Sequence, residues 1–168
     1  MCGNFFNDQI STFIKTIAMK YVYLLFCLSL FSCIVKAQSA QDSVKAVINK
    51  MFAAMKDADS KSLTECFADS AILQTIVDRN GSVRVQTDEV KAFADEIATL
   101  QKNDADERIT YDVVRIDGPL AIAWTPYNFY YKGQFSHCGV DSYQLVRVNG
   151  DWKIQYLVDT RRKQGCNP

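Results

Sequence analysis

The chain has 168 residues, and its 19 Lys and Arg balance 19 Asp and Glu. That length suits one globular domain, and the even charge removes the basic footprint a nucleic-acid binder needs. A single histidine among scattered carboxylates has no metal-ligand spacing, and neither a glycine-rich phosphate loop nor a serine elbow is present.

At the amino end, Met19-Lys20 precedes the apolar run Tyr21 to Val35, and Val35-Lys36-Ala37 before Gln38 fits a small-residue cleavage site. The run is too short for a stable membrane span. Residues 1–37 are therefore expected to be a leader, with Met19 as an alternative start. The remaining 131 residues, 38–168, would form a single exported domain, periplasmic or secreted. Leu30-Phe31-Ser32-Cys33 offers the alternative of a lipid anchor on Cys33, although Ile34 and Val35 carry the apolar run past it. Export would leave Cys66, Cys138 and Cys166 in an oxidising compartment, and an odd count leaves one thiol free. A buried, inert Cys66 and a Cys138 to Cys166 disulfide are the favoured arrangement, with the Gly165-Cys166 tail folding back.

Val44, Val47, Ile48, Met51, Phe52 and Met55 recur at three- and four-residue steps and predict an amphipathic first helix. Asp59 or Ser60 would cap a short second helix carrying Leu63 and Phe67. Ala71 to Val77 and Ser82 to Gln86 flank a turn at residues 78–81. Thr87 would cap a third helix with Val90, Phe93, Ala94 and Ile97 on its apolar side. The polar stretch Gln101 to Glu107 reads as a loop, and Arg108 to Ile116 as a strand ended by Asp117-Gly118-Pro119.

Three strands follow, Leu120 to Tyr131, Gln134 to Val148 and Trp152 to Arg162, joined by Lys132-Gly133 and Asn149-Gly150. Asn-Gly is a strong signal for a two-residue hairpin. Without bulges, Asn128 would face His137, Trp124 Asp141, Ile122 Tyr143, Tyr143 Tyr156 and Asp141 Val158, all on one apolar face. Polar groups on such a face must be paired or serve a ligand.

The order helix, helix, hairpin, helix and four strands predicts an α+β fold with helices on one face of a curved antiparallel sheet, a cone-shaped α+β barrel. The opening "VKAVINKMFAAMKDADSKSLTECFADSAIL" and the closing "GVDSYQLVRVNGDWKIQYLVDTRR" resemble the nuclear transport factor 2-like superfamily, which includes ketosteroid isomerase, scytalone dehydratase and SnoaL-like polyketide cyclases. The resemblance implies a pocket inside the cone and a homodimer built on the sheet. It leaves activity open, because one scaffold carries many functions.

The residues point to a pocket for a small, largely apolar ligand, lined by Trp124, Asn128, Tyr130, His137, Asp141, Tyr143 and Tyr156. If the protein is an enzyme, the expected chemistry is proton transfer without metal or organic cofactor. Asp141 would be the base, its pKa raised by desolvation, and Tyr143 or His137 the donor. His137 and Asp141 lie about 13 Å apart along one strand, too far for a direct dyad. His137 cannot activate Cys138, because adjacent strand residues face opposite ways. The competing reading is a noncatalytic dimerisation or protein-interaction module.

Overall fold

The apolar stripe at three- and four-residue steps is buried as a unit on α1 (Ala40–Lys56), where Val44, Ile48, Met51, Phe52 and Met55 all face the core. The structure, a computed structural model, describes residues 40–79 and 81–168. The expected leader, the alternative start at Met19 and the Cys33 anchor lie outside the described residues. After α1 the short helix α2 (Ser60–Thr64) is capped by Asp59, whose carboxylate accepts from the Ser62 amide at 3.0 Å. Strands β1 (Phe67–Arg79) and β2 (Ser82–Asp88), helix α3 (Val90–Ala98), then β3 (Ala105–Ile109), β4 (Val113–Asp117), β5 (Leu120–Tyr131), β6 (Gln134–Val148) and β7 (Asp151–Arg162) complete the order. Among the described residues no helix is long and apolar enough to cross a membrane.

The seven strands form one curved, open sheet in the order β2-β1-β7-β6-β5-β3, with β4 also paired to β5. Every pairing is antiparallel except β1 with β7, so the sheet is mixed. The parallel join follows from the chain path: β1 leaves α2 and comes to lie beside the last strand.

Three helix and strand boundaries differ from expectation: first, α2 ends at Thr64, and Phe67, expected on that helix, opens β1. Thr87 does not cap α3; it belongs to β2, which stays in the ladder as far as Asp88, and the Thr87 hydroxyl accepts from Gln74. The expected loop at 101–107 and strand at 108–116 are instead two strands, β3 and β4, on opposite halves of β5. The break faces Pro126, which has no amide proton to give; its carbonyl takes the Thr110 amide at 2.9 Å.

Both C-terminal turns contain two residues, as the pairs Tyr131 with Gln134 and Val148 with Asp151 show. Lys132, Gly133, Asn149 and Gly150 all have positive φ, the geometry of the hairpin turns that match strand twist. Past each turn, however, a one-residue bulge moves the pairing. Tyr130 pairs with Phe135 but Phe129 with His137, so Ser136 is the extra residue. Leu145 pairs with Ile154 but Gln144 with Tyr156, so Gln155 is extra in β7. Because side chains alternate, each one-residue slip exchanges the faces of everything beyond it.

Candidate functional site

The register produces a ladder of inward side chains between the sheet and the helices. Its rungs are Phe129 with His137, Tyr127 with Gly139 and Arg161, Thr125 with Asp141, Asp159 and Thr75, and Ala123 with Tyr143, Leu157 and Leu73. Glu107 joins from β3, opposite Phe129. Met51, Phe52 and Met55 of α1 and Phe93, Glu96 and Ile97 of α3 lie across from them, and between the two walls is a cavity of about 590 Å³. One wall is apolar; the other carries hydroxyls and carboxylates.

His137, Asp141 and Tyr143 all line this cavity. The expected partners do not. Trp124 is 46% exposed on the outer face beside Ser142, because the first bulge puts Thr125 opposite Asp141. Asn128 donates to the Asn167 carbonyl at 2.7 Å, and Tyr130 lies under the Arg108 guanidinium at 4.0 Å. The second bulge turns Tyr156 outward, where its hydroxyl donates to Gln74 at 2.6 Å, and sets Leu157 opposite Tyr143 and Asp159 opposite Asp141 in place of Val158. These four residues, expected to bind a ligand, are therefore not part of the cavity wall.

What the slip brings in is a second acid. Asp141 and Asp159 are direct neighbours across β6 and β7, at 4% and 9% exposure. Like charges so placed repel, and each is met differently. Asp159 accepts from Thr75 at 2.6 Å and Arg161 at 2.8 Å, and more weakly from Tyr127 at 3.3 Å. Asp141 receives the Thr125 and Tyr143 hydroxyls, both at 3.2 Å and both on Oδ2. Burial, reinforced by the Asp159 charge, pushes the Asp141 carboxyl up to about 7. Burial and the Asp141 charge also lift Glu107 well above the usual carboxyl range, and the two carboxyls are hydrogen-bonded to each other.

The remaining polar groups are fixed by packing. Tyr127 runs across Gly139 to donate to the Thr160 carbonyl at 2.9 Å. Only glycine fits beneath it: a Cβ at Gly139 would meet the Thr160 carbonyl oxygen and lie 2.7 Å and 2.8 Å from Tyr127 ring carbons. Burial holds the Tyr127 and Tyr143 phenols protonated as donors. His137 is half-buried between Tyr127 and Phe129, its Nδ1 3.1 Å from the Ser136 hydroxyl. Burial and nearby Arg161 hold its pKa below the ordinary histidine value.

On the opposite face Cys138 and Cys166 are joined, with Cα atoms 5.8 Å apart, and Cys66 is a buried free thiol donating to the Ser62 carbonyl.

Sequence reasoning missed Glu107, Asp159, Tyr127, Thr75, Thr125 and Arg161. Glu107 had a usable signal: in Ala105-Asp106-Glu107-Arg108-Ile109 the small and apolar residues alternate and put Glu107 on their side. Asp159 had none, because a bulge at Gln155 leaves no mark in residue type.

Helices packed over a curved, open sheet around a cavity define the nuclear transport factor 2-like class. Within it, the family model described as "Putative lumazine-binding" matches residues 39–156, and the chain belongs to that family. Solved structures agree on the fold. A nuclear transport factor 2-like protein of unknown function from Shewanella baltica is 17% identical with a TM-score of 0.58, over 73% of this chain and 93% of that one. A cystatin-like domain of unknown function from Nostoc punctiforme is 20% identical with a TM-score of 0.58, over 76% and 80%. A nuclear transport factor 2-like protein of unknown function from Methylobacillus flagellatus is 17% identical with a TM-score of 0.56, over 72% and 90%. No protein of curated function matches the sequence.

Proposed function

We propose that this is a small-molecule-binding protein whose cavity receives a flat, partly apolar ring compound. The observation that carries this reading is the cavity itself, about 590 Å³ with Phe52, Phe93 and Phe129 on its apolar surface and Asp141, Asp159 and Glu107 on its polar one. Pockets with an apolar lining and a few convergent polar groups are the usual form of ligand sites. Lumazine, the two-ring compound in the family description, has that character: two flat faces, and an edge bearing N–H donors and carbonyl acceptors. Titrating the purified protein with lumazine and following ligand fluorescence tests the reading. Saturable binding supports it; no binding to lumazine and no small molecule co-purifying by mass spectrometry would refute it.

A second reading is cofactor-free proton transfer, and one observation favours it: buried Asp141, pushed up to about 7, is bonded to Glu107 and to the Tyr143 phenol. A general base or acid works best when its pKa lies near the working pH. In this reading Asp141 exchanges the proton with the substrate, while Glu107 and Tyr143 hold the developing charge. His137, two rungs away, would contact the far end of the substrate. An Asp141→Asn protein with undiminished turnover of an identified substrate would remove it.

Export and pairing are part of the same proposal. The Cys138–Cys166 disulfide supports an oxidising compartment, since such bonds are rare where thiols are kept reduced. The outer face of β4 and β5 exposes Val113, Leu120, Ile122 and Trp124 side by side, which suits a second copy packing on the sheet.

A further inference from the structure

We propose that the cavity selects its ligand by charge: it takes a flat ring compound that is neutral or cationic and presents N–H or O–H donors to Glu107 and Asp141, and it rejects anions of the same size. This rests on the ligand-binding reading above and sharpens it.

Around the cavity are the acids Glu107 on β3, Asp141 on β6, Asp159 on β7, Asp88 on β2 and Glu96 on α3, with the His137 imidazole on β6, whose pKa is lowered by burial. The one cationic side chain in the wall is Arg161; the neighbouring Arg162 and Lys163 are not part of it. α1 contributes only Met51, Phe52 and Met55. The field inside is therefore negative even with Glu107 and Asp141 both protonated, since Asp159, Asp88 and Glu96 remain against Arg161.

Arg161 does not offset this for a ligand, because it is already engaged. Its Nε donates to Asp159 at 2.8 Å and its Nη2 to Thr75 at 3.1 Å, so its charge answers that of Asp159. An incoming carboxylate or phosphate would have to pull Arg161 from Asp159, and would then leave a buried acid without its counter-charge. Nor are hydroxyl donors free: those of Thr75, Thr125, Tyr127 and Tyr143 already point at carboxylate or carbonyl oxygens.

Acceptors, by contrast, remain. Both hydroxyls that reach Asp141 fall on Oδ2, and Asp141 is also bonded to Glu107, which leaves the carboxyl of Glu107 as the acceptor this pair turns toward a guest. An N–H or O–H edge placed there would be held by a charge-assisted bond while the ring faces lie against Phe52, Phe93 and Phe129. A protonated amine would gain further from the acid excess. An anion finds no cation that is not already committed, and the donor left to it is the His137 ring, whose pKa burial lowers.

The test uses the full protein and three probes that share one ring system: lumazine, lumazine carrying a carboxylate, and lumazine carrying an aminomethyl group at that same position. Binding is read by fluorescence titration below the pH at which the ring ionises. The expected result is that lumazine and the amine bind while the carboxylate binds at least tenfold more weakly. A double Glu107→Gln, Asp141→Asn variant, with far-UV circular dichroism confirming its fold, should shrink that gap to less than threefold. Equal or tighter binding of the carboxylate by the unaltered protein, or a gap that persists in the double variant, would overturn charge selection and leave the ligand-binding reading standing. Failure of all three probes to bind would overturn charge selection, and with no small molecule co-purifying by mass spectrometry it would overturn the ligand-binding reading as well.

Discussion

Asp141 and Asp159 stand directly opposite each other on neighbouring strands, both buried, and only one of them is answered by a cation. Arg161 bonds to Asp159, while Asp141 is left to the hydroxyls of Thr125 and Tyr143 and to Glu107, a carboxyl itself raised by burial. The asymmetry makes Asp141 the group whose protonation couples the fold to pH.

The coupling has a definite sign. Asp141 has an ordinary value of 3.8 and is raised to about 7 when folded, so between these the folded chain holds a proton the unfolded chain has released. The stability this gives is complete below the ordinary value and is lost as pH climbs toward about 7, an effect on the order of 4 kcal/mol. Asp141→Asn removes that titration. Thermal melts across this pH window should show the variant gaining on the unaltered protein as pH rises; parallel melting curves would contradict it.

Gly139 is where Tyr127 crosses the sheet, and added bulk there meets the Thr160 carbonyl, part of the backbone. Gly139→Ala should therefore cost at least about 3 kcal/mol, the upper range for overpacking. Chemical denaturation is the measurement. A loss below about 1 kcal/mol would mean the strand gives way more easily than the close contact implies.

The Cys138–Cys166 bond closes a loop of sequence separation 28. Chain-entropy arithmetic gives it about 3–4 kcal/mol. Cys166→Ser should lower the melting temperature, and adding reductant should lower that of the unaltered protein but not of the variant. Cys66, buried and with its thiol pushed up by burial, should stay unreactive toward a thiol reagent until the protein unfolds.

Trp124 separates the two faces of the sheet experimentally. Because it lies on the outer face, Trp124→Glu should leave ligand affinity within twofold while turning the proposed dimer into a monomer by light scattering. A large loss of affinity with an unchanged oligomeric state would contradict both placements.

The sequence by itself determined most of the elements and the class of fold, though not the division of residues 101–117 into β3 and β4. The α1 stripe, the Asp59 cap and the two turns with positive-φ glycines are local: each depends on residues a few positions apart, and the chain alone contains that information. It also put His137, Asp141 and Tyr143 on one face, since they share a strand and no bulge falls between them. Tertiary structure decided what stands opposite them. Two bulges, at Ser136 and Gln155, and the proline-facing break between β3 and β4 turned Trp124, Asn128 and Tyr156 outward and brought Glu107, Asp159, Thr75 and Tyr127 in. A bulge moves every later partner by one residue while changing nothing in the residues themselves. It is selected by the curvature the whole sheet needs to close over the helices, and that requirement exists only once the strands are assembled.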